Sequence, residues 1–204
     1  MAEPPVGRRE RNNQRTRTAI TRAAVELILE RGFDGATIAQ IAERADVAPR
    51  TVHTWFSSKE DIVLSGLDEP LDRLHAELRS GTGDTVDRLE RWLEAEGEHF
   101  AAEDDLGRLR RRALASDPHL RGLERERLDD VETAVAQAVA TDAGVPADGL
   151  AARAFAAATI SLLLGLGARL LDPELQDSPE GLADGLAVLR GALGALHASQ
   201  LGER

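Results

Sequence analysis

Apolar residues recur at helical spacing from one end of the chain to the other. The first such segment is predicted to form a helix from Asn12 or Asn13, either of which can cap its N-terminus, to Arg31. Gly32 follows and is expected to supply the left-handed residue that commonly ends a helix. The residues predicted to face inward are Ile20, Ala23, Ala24, Leu27 and Ile28.

Two shorter helices are predicted next, separated by a tight turn. Thr37 is a good N-cap for the first of them, because its hydroxyl can accept a hydrogen bond from an unpaired backbone N–H group. Asp46 and Val47 form the turn, and Pro49 suits the first position of the second helix, which runs to Phe56. The apolar residues predicted to join these two helices are Ile38, Ile41, Ala42, Ala45, Val52 and Phe56.

The rest of the chain keeps the helical period and shows no strand signal. Ser57 with Glu60 forms one candidate capping box for the fourth helix, and Ser58 can form another with Asp61. Pro70 is expected to kink that helix, which ends near residue 78. The fold class is therefore all-α, with about nine helices in total. The later predicted helices span residues 84–102, 104–116, 118–143, 148–171 and 178–200.

The outer side of the second short helix is unusual for a surface in contact with water. No Asp or Glu occurs from Ala48 to Ser58, whereas a solvated helix normally carries charges of both signs. DNA carries one negative charge per roughly 1.7 Å of its axis, so a helix lying against it must avoid carboxylates. We therefore interpret residues 36–59 as a helix-turn-helix whose second helix enters the major groove. The side chains on offer are Arg50, Thr51, His53, Thr54 and Trp55.

A specific pattern of residue types runs across three successive helices. It consists of Gly32-Phe33, Thr37-Ile38-Ala39, Ile41-Ala42, Val47, Thr51-Val52-His53, Trp55-Phe56 and Lys59-Glu60. The pattern resembles the DNA-binding domain of the tetracycline-repressor (TetR) family, and the resemblance covers residues 16–64. Two features depart from the family. His53 stands where Tyr or Phe is usual, and Pro49-Arg50 replace a commoner small or glycine-containing pair.

The resemblance implies a ligand-responsive transcriptional regulator, a repressor, with a three-helix DNA-binding domain and a larger C-terminal helical domain. It also implies a homodimer, formed through the last two helices, that binds a pseudo-palindromic double-stranded operator. The sequence itself indicates only that these broadly apolar helices need a partner surface. We divide the chain into a disordered basic arm, residues 1–11; a helix-turn-helix DNA-binding domain, residues 12–58; and a helical regulatory and dimerisation domain, residues 59–204.

Within the motif we expect contacts to both phosphates and bases. Lys59 is well placed for a phosphate, because it lies at the positive end of a helix. Trp55 has an alternative role as a core residue beside Val52, and His53 as an exposed ring without a contact. The phosphate candidates are Thr37, Thr51, His53 and Lys59, and the candidates for base edges or thymine methyl groups are Arg50, Thr54 and Trp55.

The net charge of −11 argues at first against a DNA-binding protein. Its distribution removes that objection, because residues 1–60 carry a net charge of +2 and residues 61–204 carry −13. A DNA-reading domain attached to an acidic body shows such an asymmetry. Arg8, Arg9 and Arg11 can reach a phosphate or a narrow minor groove, and a solvated tail is the alternative.

Composition narrows the function classes further. Cysteine is absent, which excludes disulfides and thiolate metal sites, and the N-terminus lacks the apolar segment of a signal peptide, so we expect a cytoplasmic protein. The most apolar stretch, residues 155–168, is shorter than the roughly 20 residues that span a bilayer, so no membrane contact is expected. The His residues are scattered, and we expect no enzyme activity, catalytic residue, metal or cofactor.

A regulator of this kind needs a site for a small-molecule effector. Residues 106–143 also resemble relatives that bind acyl-coenzyme A-like ligands, so a hydrophobic or acyl-CoA-like effector is our hypothesis. Trp92 and Phe100 have an alternative role as core residues, and His99 as an exposed or hydrogen-bonded histidine. The candidate lining residues are Trp92, His99, Phe100, Arg110, Phe155 and Thr159.

Arg110 belongs to a run of arginines that can present guanidinium groups at a pocket mouth, where they suit phosphate or carboxylate. The alternative is a solvated basic face paired with the acidic residues 103–105. Two other functions compete with a regulator: an enzyme, and an acidic all-helical interaction module without DNA binding. The second leaves the carboxylate-free helix unexplained.

Overall fold

The structure is a computed structural model that describes residues 7–80, 82–101, 105–169 and 180–202. Within these ranges the regular structure is entirely helical, which confirms the predicted fold class. The helices are α1 (Arg8–Arg31), α2 (Ile38–Arg44), α3 (Pro49–Trp55), α4 (Lys59–Leu64), α5 (Asp68–Ser80), α6 (Thr85–Ala101), α7 (Asp105–Ser116), α8 (Pro118–Arg127), α9 (Asp129–Ala143), α10 (Leu150–Arg169) and α11 (Glu180–Gly202).

Packing divides the chain into two compact units. The first unit comprises Met1–Gly66 and Asp104–Arg121, and the second comprises Leu67–Glu103 and Gly122–Arg204. Helix α1 lies at the centre of the first unit, where α2, α4 and α7 all pack against it. These units are defined by packing, whereas the boundary expected after residue 58 separates functions, and that boundary stays a prediction.

The five residues of α1 that were predicted to face inward are all buried. The predicted start of the helix at Asn12 or Asn13 is wrong, however, because α1 already begins at Arg8. Arg, Glu and Gln favour helices, so the residues before Asn12 allow α1 to extend back to Arg8, the residue after Gly7. Residues 8–11 are thus helical and not part of a disordered arm, while residues 1–6 lie outside the described residues.

The helix expected from residue 59 to residue 78 is in fact two helices, α4 and α5, separated at Ser65–Leu67. The break lies one turn before Pro70, where the kink was predicted. Proline has no N–H group to bond the carbonyl four residues earlier, and its ring clashes with that carbonyl, which belongs to Gly66. Pro70 itself lies in the first turn of α5, where a missing N–H costs nothing.

A second break divides the helix expected over residues 118–143 into α8 and α9. The N–H of Leu128 donates to the carbonyl of Arg125, three residues back, and the side chain of Leu128 is buried. The carboxylates in the first turn of α9 favour a helix start here, because they interact with the positive helix end. The two breaks explain why the described residues hold more helices than the nine expected.

The second unit has its own hydrophobic core, to which α5, α6, α9, α10 and α11 all contribute. Helix α9 ends at Gly144, whose left-handed φ of 69° and ψ of 27° confirm the predicted stop. Helices α10 and α11 pack closely: a Cβ atom on Gly185 would lie 2.4 Å from a methyl carbon of Leu162. Within the described ranges, no helix has the length and apolar character that crossing a membrane requires.

Candidate DNA-binding surface

The turn between α2 and α3 has the conformation that a helix-turn-helix needs. Asp46 has φ of 52°, the only positive φ of a non-glycine residue in the described ranges. The N–H of Val47 donates to the carbonyl of Ala42 at 3.0 Å, which closes the turn against α2. The predicted turn at Asp46 and Val47 is therefore confirmed.

Helix α3 has a buried inner side and an exposed outer side. Val52 and Phe56 on the inner side are 0% and 3% exposed, and Pro49 occupies the first helical position as predicted. These two apolar side chains hold α3 in one orientation, since the other orientations would expose them to water. The side that carries the DNA-contact candidates is consequently fixed outward.

The outer side of α3 offers the side chains that were proposed to contact DNA. Arg50, His53 and Thr54 are exposed, while Thr51 and Trp55 are half-buried, so Trp55 is not a fully buried core residue. The hydroxyl of Thr54 donates to the carbonyl of Arg50 at 3.0 Å, which leaves its methyl group for an apolar contact. The DNA contacts of these five residues stay predictions.

Thr37 caps α2 with a complete capping box. Its hydroxyl oxygen accepts a hydrogen bond from the N–H of Gln40 at 3.3 Å, and its own N–H donates to the Gln40 side chain at 3.0 Å. The predicted N-cap is confirmed. Thr37 is exposed at this helix start, where a phosphate could reach it. The phosphate contact itself stays a prediction.

Helix α4 is capped by the second of the two candidate pairs. The N–H of Asp61 donates to the hydroxyl of Ser58 at 3.1 Å. The carboxylate of Asp61 in turn accepts from the N–H and the hydroxyl of Ser57, both at 3.1 Å. This local network fixes the connection between α3 and α4.

Lys59 has a structural role that the sequence analysis did not anticipate. Its ammonium group donates to the carbonyls of Phe33 and Ala36, the latter at 2.8 Å, and lies 3.9 Å from the centroid of the Phe33 ring. An ammonium group has three donors, so at most one remains for a phosphate. Lys59 thereby ties the start of α4 to the loop between α1 and α2. Its phosphate contact stays a prediction.

Helices α1 and α2 are joined by an ion pair with two parallel hydrogen bonds. The guanidinium of Arg44 donates to the two carboxylate oxygens of Glu30 at 2.6 and 2.7 Å. These hydrogen bonds favour the charged carboxylate and so lower the pKa of Glu30. At the end of α1, Gly32 has the expected positive φ, 76°, but its ψ of 167° is extended and not left-handed helical.

One side chain beside this surface is not among those predicted from the sequence. The Cζ atom of Arg17, on α1, lies 5.6 Å from the centroid of the Phe56 ring, where α3 ends. The distance is in the range of a cation–π contact. The separation of 39 positions between the two residues gave no local signal, because only the packing of α1 against the motif brings them together.

The predicted effector residues of the second unit mostly lie in or beside its core. Trp92 and Phe155 are buried in one hydrophobic cluster, and the indole N–H of Trp92 donates to the carbonyl of Pro70 at 3.1 Å. The buried hydroxyl of Thr159 donates to the carbonyl of Phe155 at 3.0 Å. His99 is exposed, and the side chain of Phe100 lies outside the described residues.

Arg110 belongs to the first unit, whereas the other effector candidates belong to the second. Its guanidinium lies directly against Gly66: a Cβ atom at that position would be 2.0 Å from the Nη1 atom of Arg110. Neighbouring Arg108 is exposed and lies 3.8 Å from Asp105, as the alternative of a solvated basic face proposed; residues 103 and 104 lie outside the described residues.

Two surface grooves occur in the second unit. One, of about 480 Å³, lies between α9 and the start of α10, and the other, of about 420 Å³, lies between α6 and α11. Among the predicted effector residues whose side chains are described, none lines either groove. Among the described residues, no cluster of His, Asp and Glu could hold a metal ion.

Two family models match the chain. One, described as bacterial regulatory proteins of the tetR family, matches residues 20–65, which include the whole helix-turn-helix. The other, described as the MftR C-terminal domain, matches residues 84–194, more than half of the chain.

Individual proteins show the same similarity. The HTH-type transcriptional regulator TcmR of Streptomyces glaucescens is 44% identical over 66 residues, which are 31% of this chain and 29% of TcmR. The chain thus spans less than a third of the length of that relative. A proposed transcriptional regulator from Pseudomonas aeruginosa PAO1 has a similar fold, with a TM-score of 0.58 at 17% identity over 89% of this chain and 90% of the other.

A further solved structure is that of Thermus thermophilus FadR, a TetR-family transcriptional repressor in complex with lauroyl-CoA. It has a TM-score of 0.50 and 26% sequence identity, and the similarity covers 85% of this chain and 92% of that one.

Proposed function

The chain belongs to the TetR family of bacterial transcriptional regulators, and we propose that it is a repressor that a small-molecule effector releases from its operator. The outer side of α3 carries this proposal. It holds exposed Arg50, His53 and Thr54, no carboxylate occurs from Ala48 to Ser58, and Val52 and Phe56 fix its orientation. Arg50 and Thr54 would contact base edges or thymine methyl groups.

The proposal includes a homodimer formed through α10 and α11. Both helices expose small or apolar side chains: Val188 is 69% exposed, Leu150 is 86% exposed, and a Cβ atom on Gly191 would meet nothing within 4 Å. Burying such a surface in a twofold interface is favourable. Two α3 helices related by the twofold axis would bind half-sites of a pseudo-palindrome.

The proposed effector is hydrophobic or acyl-CoA-like. Support comes from the Thermus FadR structure, which contains lauroyl-CoA, and from the apolar character of the second unit's core. Trp92, Phe155 and Thr159 remain the candidates to line its site. Calorimetric titration with lauroyl-CoA tests this part, with coenzyme A alone as the control. No heat with either compound would remove acyl-CoA from the proposal and leave DNA binding untouched.

Selection of bound duplexes from random-sequence DNA is the most direct test of the operator. We expect the full chain to enrich a pseudo-palindrome, and its affinity for that duplex to fall as salt rises. Enrichment of a single half-site without symmetry would contradict the dimer. Failure to enrich any sequence would contradict DNA binding and favour an enzyme or an acidic interaction module. A cytoplasmic location is part of the same proposal.

A further inference from the structure

Arg17 is a side chain of α1 that lies near the end of α3. Its guanidinium carbon is 5.6 Å from the centroid of the Phe56 ring. Phe56 is 3% exposed, while Arg17 is exposed, so the guanidinium is accessible from solvent beside a buried ring. Among the described residues, no carboxylate forms an ion pair with Arg17.

We propose that Arg17 is a phosphate-binding residue of the DNA interface, positioned by the Phe56 ring. The inference rests on DNA binding through α3 and adds a contact from outside the helix-turn-helix. Phe56 is the C-cap residue of α3, so an arginine held on its ring lies beside the end of the helix proposed to enter the major groove. The sugar-phosphate backbone borders that groove on both sides.

The chemistry of the side chain suits this position. A guanidinium can lie over an aromatic ring, within cation–π distance, while some of its N–H groups still point outward. Those N–H groups form strong, charge-assisted hydrogen bonds with phosphate oxygens. The ring also restricts a long side chain that would otherwise lose conformational entropy on binding.

Arg50, on α3, is likewise exposed and without an ion pair among the described residues, but three other basic groups near the motif are arranged differently. Lys59 uses two of its three donors on the carbonyls of Phe33 and Ala36. Arg22 donates to Asp105 at 3.1 Å, and Arg44 donates to Glu30. Arg17 therefore offers DNA a positive charge that its own protein does not neutralise.

Arg15 provides a matched control on the same helix. Residues two positions apart differ by about 200° around an α-helix, so Arg15 lies on almost the opposite side of α1. There it lines an open groove with Arg11 and Arg22. Replacing either Arg15 or Arg17 by Gln removes one positive charge from an exposed position of the same helix.

The test is the salt dependence of binding between 50 and 200 mM salt, with a duplex recovered by selection as the probe. Each phosphate contact contributes about −0.9 to the slope of log affinity against log salt. Arg17→Gln should make the slope shallower by about 0.9 for each bound protomer. The fall in affinity between 50 and 200 mM salt should then be smaller than in the wild type by a factor of about 3.5 for each protomer. Arg15→Gln should leave the slope unchanged.

Arg17→Lys separates charge from packing. Lysine keeps the charge without the planar fork of N–H groups, so it should restore most of the slope. A wild-type slope for Arg17→Gln would overturn the inference. So would a slope change in Arg15→Gln as large as that in Arg17→Gln. A slope change in Arg17→Lys as large as that in Arg17→Gln would overturn it too. Thermal unfolding identifies any variant that fails to fold. If Arg17→Gln fails to fold, the slope of Arg17→Lys decides whether the inference stands. If the wild type itself binds no duplex, the proposed function fails instead.

Discussion

Arginines of the second unit and arginines at the outer side of α3 differ in their pairing. Several arginines of the second unit are paired with carboxylates: Arg88 with Asp142 at 2.6 Å, Arg73 with Glu96 at 2.5 Å, and Arg190 with Glu90 at 2.6 Å. On the outer side of α3 and beside its end, by contrast, Arg50 and Arg17 have no ion-pair partner among the described residues. Ion pairs thus neutralise part of the arginine charge of the second unit, while Arg17 and Arg50 stay exposed beside or on α3.

This difference explains how a chain with a net charge of −11 can bind DNA. Net charge sums over groups that are already paired within the protein and so contribute little to the local field. A phosphate at the outer side of α3 meets unpaired guanidinium groups and a helix that carries no carboxylate, and at physiological salt the Debye length is only about 8 Å. The charges within about one Debye length of α3 therefore decide binding, and the net charge of the whole chain does not.

The largest expected effect concerns the buried pair of the second unit. Arg88→Met leaves the carboxylate of Asp142 without its guanidinium, and the side chains of the pair are only 11% and 16% exposed. Breaking a buried pair by removing one partner costs about 3–5 kcal/mol. The free energy of unfolding in urea measures this loss.

Arg91→Met is the matched control for Arg88→Met. Arg91 pairs with Glu77 at 2.7 Å, but the side chains are 41% and 30% exposed. An ion pair of this kind contributes about 0–1 kcal/mol. Equal losses for the two variants would show that burial does not distinguish these pairs.

Lys59→Ala should affect both stability and binding. It removes charged hydrogen bonds to the carbonyls of Phe33 and Ala36, each of the kind that contributes about 1.5–3 kcal/mol. Lys59 is only half-buried and water can replace part of these bonds, so we expect a loss of about 2 kcal/mol in unfolding free energy. Binding to all DNA sequences should weaken alike. Lys59→Arg, which keeps a cation, is the control. A loss confined to one DNA sequence would contradict the phosphate contact.

Arg50→Ala should instead change sequence preference. Its side chain is exposed and unpaired, so unfolding free energy should hardly change. Discrimination should relax by about 1–3 kcal/mol at one position of each half-site, as selection from random duplexes can measure. If all sequences weakened equally, Arg50 would be a phosphate contact and not a base contact.

The smallest effect is a pH dependence. Because Arg44 lowers the pKa of Glu30 in the folded state, the pair stabilises the fold above the ordinary pKa of 4.5 and loses this contribution as pH falls through the lowered value. Glu30→Gln should therefore flatten the acid side of the stability curve. Glu43→Gln, which removes an exposed carboxylate from α2, is the control and should not do so. Unfolding midpoints from pH 3 to pH 7 give the comparison.

Local rules predicted much of the DNA-binding side. The cap at Thr37, the turn at Asp46 and the inward positions of Val52 and Phe56 depend on a few neighbouring residues, and all are confirmed. The start of α1 was misplaced because Asn12 can cap a helix but need not, and the residues before it continue one equally well. The kink predicted at Pro70 lies one turn too late, since proline removes the hydrogen bond to the carbonyl four residues earlier and breaks the helix there.

The sequence by itself determined the all-helical fold, the helix-turn-helix and the acid-free side of α3, because helical periodicity, capping and charge pattern are properties of adjacent residues. Only the tertiary structure decided which basic groups are unpaired. Lys59 meets the carbonyl of Phe33 across 26 positions, and Arg17 reaches the Phe56 ring from another helix. Such contacts form only when packing brings distant segments together, and no local pattern encodes that juxtaposition.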